Sequence, residues 1–148
     1  MKLQKKTHKK IVIFIPSIEY GGVEKNLYIL IDYLKKIYPQ IFIVTASKIN
    51  KKVNQKNVKV IRPKYNFWDR KSRLLKSLIS SYLMIKRFKK REILVVSFQS
   101  NIFSIIVSRF MIWPIIIRLN TSPEKYINNL FKSFFFKNFY SLSDEIIV

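Results

Sequence analysis

Short, unbroken runs of β-branched and aromatic residues recur along this chain, and stretches of helical periodicity separate them. Residues 11–15 read Ile-Val-Ile-Phe-Ile, residues 41–46 Ile-Phe-Ile-Val-Thr-Ala, residues 58–61 Val-Lys-Val-Ile, residues 93–98 Ile-Leu-Val-Val-Ser-Phe and residues 114–119 Pro-Ile-Ile-Ile-Arg-Leu. Such runs, apolar without regular alternation, are what strands covered on both faces require, and strands covered on both faces belong to parallel sheets. Residues 146–148, Ile-Ile-Val, supply one more. Between the strands, Val23, Leu27, Leu30, Ile31 and Leu34 fall at helical spacing. Residues 70–90 place Leu74, Leu75, Leu78, Ile79, Tyr82 and Leu83 on one face, with Arg73, Lys76, Ser80 and Arg87 opposite. That pattern predicts an amphipathic helix with a basic outer surface. Residues 100–111 and an aromatic-dense segment opening at Ser122-Pro123 read as further helices. Strand and helix in alternation predict an α/β, doubly wound, mainly parallel, Rossmann-like sheet of about six strands. Residues 1–10 form a basic N-terminal tail, and residues 11–148 one domain.

In a doubly wound order 3-2-1-4-5, ligands bind outside the carboxyl ends of the strands where the order reverses, between strands one and four. Two loops are thereby selected, residues 17–22 and residues 99–101, with Arg118, Asn120 and Thr121 alongside. The first of them holds both glycines of the chain, Gly21 and Gly22. At the mouth of a helix, free N–H groups and the positive dipole end favour an anion, and a missing β-carbon lets a ligand approach the backbone. A phosphate or substrate contact and a plain tight turn both fit this pair.

Composition narrows the chemistry. Lys and Arg outnumber Asp and Glu by 29 to 8, a formal charge of +21, which favours phosphate-bearing partners or reflects a codon bias towards Lys, Ile, Asn and Phe. There is no cysteine, so disulfides and thiolate metal sites are excluded, and the one histidine, His8, lies in the basic tail. Ser-His-Asp catalysis is excluded with it. The G-x-G-x-x-G fingerprint is absent, Ser47-Lys48 rather than an acid follow strand two, and Lys25-Asn26 does not complete a Walker pattern. Residues 93–119 are apolar enough to suggest a membrane span, but Gln99, Ser100, Asn101, Arg109 and Pro114 interrupt them. Two buried strands joined by a helix account for the same content.

Four segments together resemble the amino-terminal half of a family 4 glycosyltransferase of the two-Rossmann-domain (GT-B) type. Pro-Ser-Ile-Glu-Tyr-Gly-Gly-Val-Glu-Lys-Asn-Leu at residues 16–27 is similar to that family's Gly-Gly-(Ala/Val)-Glu-Arg loop and helix. Val96-Ser97-Phe98-Gln99-Ser100-Asn101 follows strand four, and Ile117-Arg118-Leu119-Asn120-Thr121-Ser122-Pro123 follows strand five. Ser143-Asp144-Glu145-Ile146-Ile147-Val148 looks like the family's Ala-Asp-Glu-Ile-Ile-Val strand. The resemblance implies transfer of a sugar from a nucleotide-sugar donor to a glycan or lipid-linked acceptor, of the cell-envelope polysaccharide or lipopolysaccharide type. It implies Gly21, Gly22, Lys25, Asn101, Arg118 and Thr121 as substrate-binding residues, with no catalytic residue assigned. It implies the nucleotide sugar as co-substrate, no tightly bound cofactor and no metal. Glu24 reads first as a carboxylate complementing the helix dipole rather than as a catalytic base, and Arg118 equally as a structural partner of an acid.

In that family a second Rossmann domain with a Glu-x7-Glu element holds the donor, and the sequence closes where a linker to it would start. The expectation is a truncated, cytoplasmic enzyme, inactive alone, or one whose donor half is a separate polypeptide. Between residues 48 and 91, sixteen Lys and Arg face the single Asp69, and the aromatic segment includes Phe134, Phe135, Phe136 and Phe139 near Lys132 and Lys137. These features suit peripheral contact with an anionic cytoplasmic leaflet, or a solvated basic face. A membrane-recruiting subunit is the alternative role. A nucleic-acid module is disfavoured, because the aromatics are not interleaved with basic residues on a platform.

Overall fold

The strand-forming runs do assemble into one parallel sheet. The computed structural model describes residues 10–18, 22–49, 53, 56–119, 133–134 and 136–147. Strands β1 (Lys10–Phe14), β2 (Gln40–Val44), β3 (Val58–Ile61), β4 (Leu94–Ser97), β5 (Ile115–Arg118) and β6 (Glu145–Ile147) pair in the order β3-β2-β1-β4-β5-β6. Every pairing is parallel, with Ile11 opposite Ile41 on one side and opposite Leu94 on the other. This is the Rossmann-like doubly wound order, and the reversal falls between β1 and β4.

Successive side chains of a strand point to opposite faces, so an unalternating apolar strand feeds two cores. On one face Ile11, Ile13, Ile41 and Ile43 pack with Leu27, Ile31 and Leu34 of α1 (Gly22–Leu34). On the other, Val12, Phe14, Phe42, Val95 and Ile115 pack with Met84 of α2 (Arg73–Arg87) and with Ile105 and Met111 of α3 (Asn101–Met111). Phe88 joins Phe42 and Trp113 edge-on in this second core, with centroid distances of 5.0 and 6.5 Å. The Trp113 indole is buried and donates to the Lys89 carbonyl at 2.7 Å, which satisfies its one polar atom.

Residues 93–119 form β4, α3 and β5, and among the described residues no helix is long and apolar enough to cross a membrane. The Asp of the Ser-Asp-Glu segment has a structural task at the last strand. Asp144 accepts from the Ile115 backbone N–H at 2.8 Å and lies 3.4 Å from Arg109, tying β5, α3 and the approach to β6 together. The aromatic segment expected from residue 122 falls largely outside the described residues. Its described end is a π-helical turn, Phe136–Tyr140, that buries Tyr140 against the second core.

Helix α2 corrects the sequence expectation. Its buried positions are Lys76, Ser77, Ser80, Ser81 and Met84, whereas Leu74, Leu75, Leu78, Tyr82 and Ile85 are exposed. The outer surface is therefore apolar, and Lys76 and Ser80 lie inward. The inner arc meets α3, whose own Ser104 and Ser108 are buried. Small side chains on both helices leave room for close backbone approach, which the branched leucines would not.

An ion pair anchors the start of the central strand. Lys10 pairs with Glu92 just before β4, and Glu92 also accepts from the Lys89 backbone N–H at 2.7 Å. The hydrogen bond from Lys10 holds the Glu92 carboxyl below its ordinary value, with the Lys89 backbone bond adding to it. A carboxyl depressed in the folded state contributes stability above its unfolded value and loses it as pH falls through the folded value. Urea titrations should therefore show wild-type stability declining below about pH 4.5, and Glu92→Gln should flatten that part of the profile. Identical acid limbs in the two proteins would remove this role from Glu92.

Candidate functional site

The strand order reverses between β1 and β4, and backbone bonds tie the carboxyl ends of the sheet together there. Ala46 N–H donates to the Pro16 carbonyl at 3.0 Å, and Phe98 N–H donates to the Phe14 carbonyl at 3.0 Å. Helices α2 and α3 both begin at this edge, because each returns from the carboxyl end of one strand to the amino end of the next.

A line of polar contacts runs along that edge. Lys76, buried in the first turns of α2, donates from Nζ to Ser47 Oγ beyond β2 at 3.1 Å. Next to it, Ser77 Oγ donates to Ser100 Oγ beyond β4 at 2.7 Å. Ser100 stands in the left-handed region, with φ 55° and ψ 42°, at the residue preceding α3. An L-residue there costs about 1–2 kcal/mol and marks a backbone held by its surroundings. Asn101 continues the line to β5, its Nδ2 donating to the Arg118 carbonyl at 3.0 Å while its Oδ1 accepts from Ser97 Oγ at 2.8 Å. Ser104 Oγ in turn donates to Ser97 Oγ at 2.7 Å. The ends of β2, β4 and β5 are thus joined through the starts of α2 and α3.

The six residues expected at the site fare differently. Asn101 is buried, and both ends of its amide are engaged, so it braces the Arg118 strand end against α3. Arg118 is half-buried and stacks its guanidinium 5.3 Å over the Phe98 ring. Among the described residues it makes no ion pair. Lys25 is exposed in the first turn of α1. Gly22 opens α1, is exposed, and a β-carbon there would meet nothing within 4 Å. Among the described residues, neither crowding nor a positive φ requires that glycine. Gly21 and Thr121 lie outside the described residues. Glu24 accepts a hydrogen bond from Tyr28 at 2.5 Å one helical turn on, in keeping with a role at the helix start.

Lys76 is the residue that periodicity alone misplaces. Spacing assigns it to an outer basic face, and the structure buries it at the crevice with no carboxylate partner among the described residues. A signal is nonetheless present in the sequence: Lys76, Ser77, Ser80, Ser81 and Met84 share one arc, and serines at helical spacing are compatible with a close-packed side. Buried cations without acids attract anionic or strongly hydroxylated ligands, because their desolvation is otherwise uncompensated. A separate depression of about 160 Å³ is lined by Pro39, Gln40, Lys56, Asn57 and Lys59. It lies at the opposite, amino end of β2 and β3 and is smaller than ligand pockets of about 300–1,000 Å³.

Two substitutions separate bracing from binding. Asn101→Ala should lower unfolding stability by about 2 kcal/mol by orphaning buried partners, as read from urea denaturation. Gly22→Ala should leave stability unchanged or raise it by up to about 1 kcal/mol, since its site is open and α-compatible. Loss of stability in the glycine variant would mean that the backbone, not a ligand, needs Gly22.

Comparison with known proteins finds no matching family model, no matching curated protein and no matching solved structure, so the function rests on the chemistry of this crevice.

Proposed function

We propose that this chain is the acceptor-side half of a glycosyltransferase that moves a sugar from a nucleotide-sugar donor to a glycan or lipid-linked acceptor of the cell-envelope type. The observation that supports the reading is the polar line Ser47–Lys76, Ser77–Ser100, Asn101–Arg118 along the carboxyl edge of the sheet. It places hydroxyls and two cations, the buried Lys76 and the half-buried Arg118, beside the switch point where α/β sheets take their ligands. A sugar acceptor needs hydroxyl partners, and a nucleotide diphosphate needs positive charge.

In the reaction, an acceptor hydroxyl attacks the anomeric carbon of the donor as the bond from that carbon to the diphosphate oxygen breaks. Negative charge grows on the departing diphosphate, and the acceptor hydroxyl gives up its proton to that diphosphate or to solvent. Cations aimed at the growing charge lower the barrier more than they stabilise the bound donor. Lys76, Arg118 and, at the head of α1, Lys25 are the residues of this chain suited to that task, with the open backbone at Gly22 beside them. Asn101 acts by position, holding the end of β5. One sheet forms one wall of the cleft, and a donor-holding partner domain forms the other, with no resident cofactor required. Transfer therefore needs both walls.

The test is a nuclear magnetic resonance titration of the isotope-labelled chain with inorganic pyrophosphate and with methyl glycosides of common hexoses. Shifts should concentrate at Gly22, Lys25, Ser47, Ser100 and Arg118, and Lys76→Met or Arg118→Ala should weaken pyrophosphate binding about tenfold or more. Shifts confined to the depression around Lys56, or affinity untouched by both substitutions, would sink the assignment.

A further inference from the structure

Helix α2 is built with its polar side inward and its apolar side outward, and both halves of that arrangement are unfavourable in water. Inside, the hydroxyls of Ser80 and Ser81, and that of Ser108 on α3, are buried without a hydrogen-bond partner among the described residues. Outside, Leu74, Leu78 and Tyr82 are 58%, 48% and 55% exposed, with Leu75 and Ile85 beside them. The outward residues sit at steps of one, three, four and three, a continuous stripe along one side of the helix. Neighbouring α3 covers the same face of the sheet and turns Ile106 and Phe110 outward, the latter 68% exposed. An exposed apolar stripe of this kind marks a docking site.

Charge identifies the occupant. From residue 70 to residue 91 the chain carries nine Lys and Arg and no acid. All but Lys76 are exposed: Arg70 and Lys71 precede the stripe, Lys86, Lys89, Lys90 and Arg91 lie at its end, and Arg73 and Arg87 project from the other side of α2. Lys86 lies 5.9 Å over the Tyr82 ring and Lys90 5.4 Å over the Phe110 ring, so the cations flank the aromatics they would share an interface with. An apolar stripe with cations at both ends matches a bilayer surface, where acyl chains take the stripe and anionic headgroups take the ends. A second copy of this chain would bring the same cations face to face against a formal charge of +21 on each. The stripe is also a convex helix side rather than a groove, and a fluid bilayer needs no shape match.

We propose that the outward face of α2, extended by Ile106 and Phe110 of α3, lies in the interface of an anionic membrane, with the helix axis parallel to the surface. The inference rests on this surface and not on the transferase reading.

The experiment is vesicle co-sedimentation with phosphatidylcholine alone and with phosphatidylcholine containing phosphatidylglycerol, at low and high salt, together with a Tyr82→Trp variant read by fluorescence. The full chain should bind the anionic vesicles, bind the neutral ones at least about tenfold more weakly, and lose affinity as salt rises. The Tyr82→Trp emission should shift to the blue and be quenched by brominated acyl chains. The pair Leu78→Gln and Tyr82→Gln, both at exposed positions, should reduce binding about tenfold or more, and Lys86→Glu with Lys90→Glu should do so on anionic vesicles. Circular dichroism verifies that these variants remain folded. Unquenched Tyr82→Trp emission on vesicles that bind the chain would overturn the proposal, as would full binding by the Leu78 and Tyr82 variants. Absence of vesicle binding, with sedimentation showing a self-associated or protein-bound chain that the same variants release, would assign the face to a protein partner instead.

Discussion

Burial of β1 on both edges and both faces is the constraint from which the rest of the molecule follows. Ile11, Val12, Ile13, Phe14 and Ile15 are at most 1% exposed, and backbone ladders to β2 and β4 occupy the two edges. Each such side chain contributes about 1.5–3 kcal/mol when fully buried, so this strand's share is of the same order as the net stability of a domain. Keeping it dry requires helices on both faces. Once α1 covers one face and α2 with α3 cover the other, the chain must leave β1 and β4 in opposite directions, and the crevice at their carboxyl ends is the geometric result. The candidate site is thereby placed by the requirement to bury the central strand.

The same constraint explains why the fold is legible in the sequence. A strand buried on both faces reads as an unbroken apolar run, and the runs at residues 11–15, 41–46 and 93–98 need no alternation to be recognised. The order of strands follows from alternation with helices and the preference for parallel crossovers. Less is legible at the site. Burial of Asn101 and its double engagement depend on Ser97 and on the Arg118 carbonyl, which lie 4 and 17 residues away. Scarcity singles out Gly22, yet its value lies in the open space around it rather than in a strained backbone.

Helix α2 shows where periodicity stops being informative. Apolar residues at helical spacing identify a stripe, and the stripe is normally assigned inward because water is the assumed outer solvent. That assumption fails when the helix faces something other than water or when its inner neighbour accepts only small residues. Here Ser77, Ser80 and Ser81 meet a helix that buries Ser104 and Ser108, and their fit sets the orientation. Among the described residues the hydroxyls of Ser80, Ser81 and Ser108 find no partner, and a buried hydroxyl left unpaired costs about 1–3 kcal/mol.

Helix α2 also joins the two surfaces. Its first turns hold Lys76 and Ser77 in the crevice, while Leu74, Leu75 and Leu78, on the same turns, point outward. These residues are within one turn of one another along the axis, a rise of about 5.4 Å. A helix lying in a bilayer interface would therefore hold the crevice mouth at the headgroup level rather than far into solvent. A water-soluble acceptor gains nothing from that placement, since it can reach a crevice at any height. A lipid-linked acceptor, whose sugar is tethered to the interface, can reach only a site held near it. On the transferase reading we propose, the orientation of one helix thus bears on the class of acceptor, because a tethered substrate and a membrane-lying helix solve the same problem of distance.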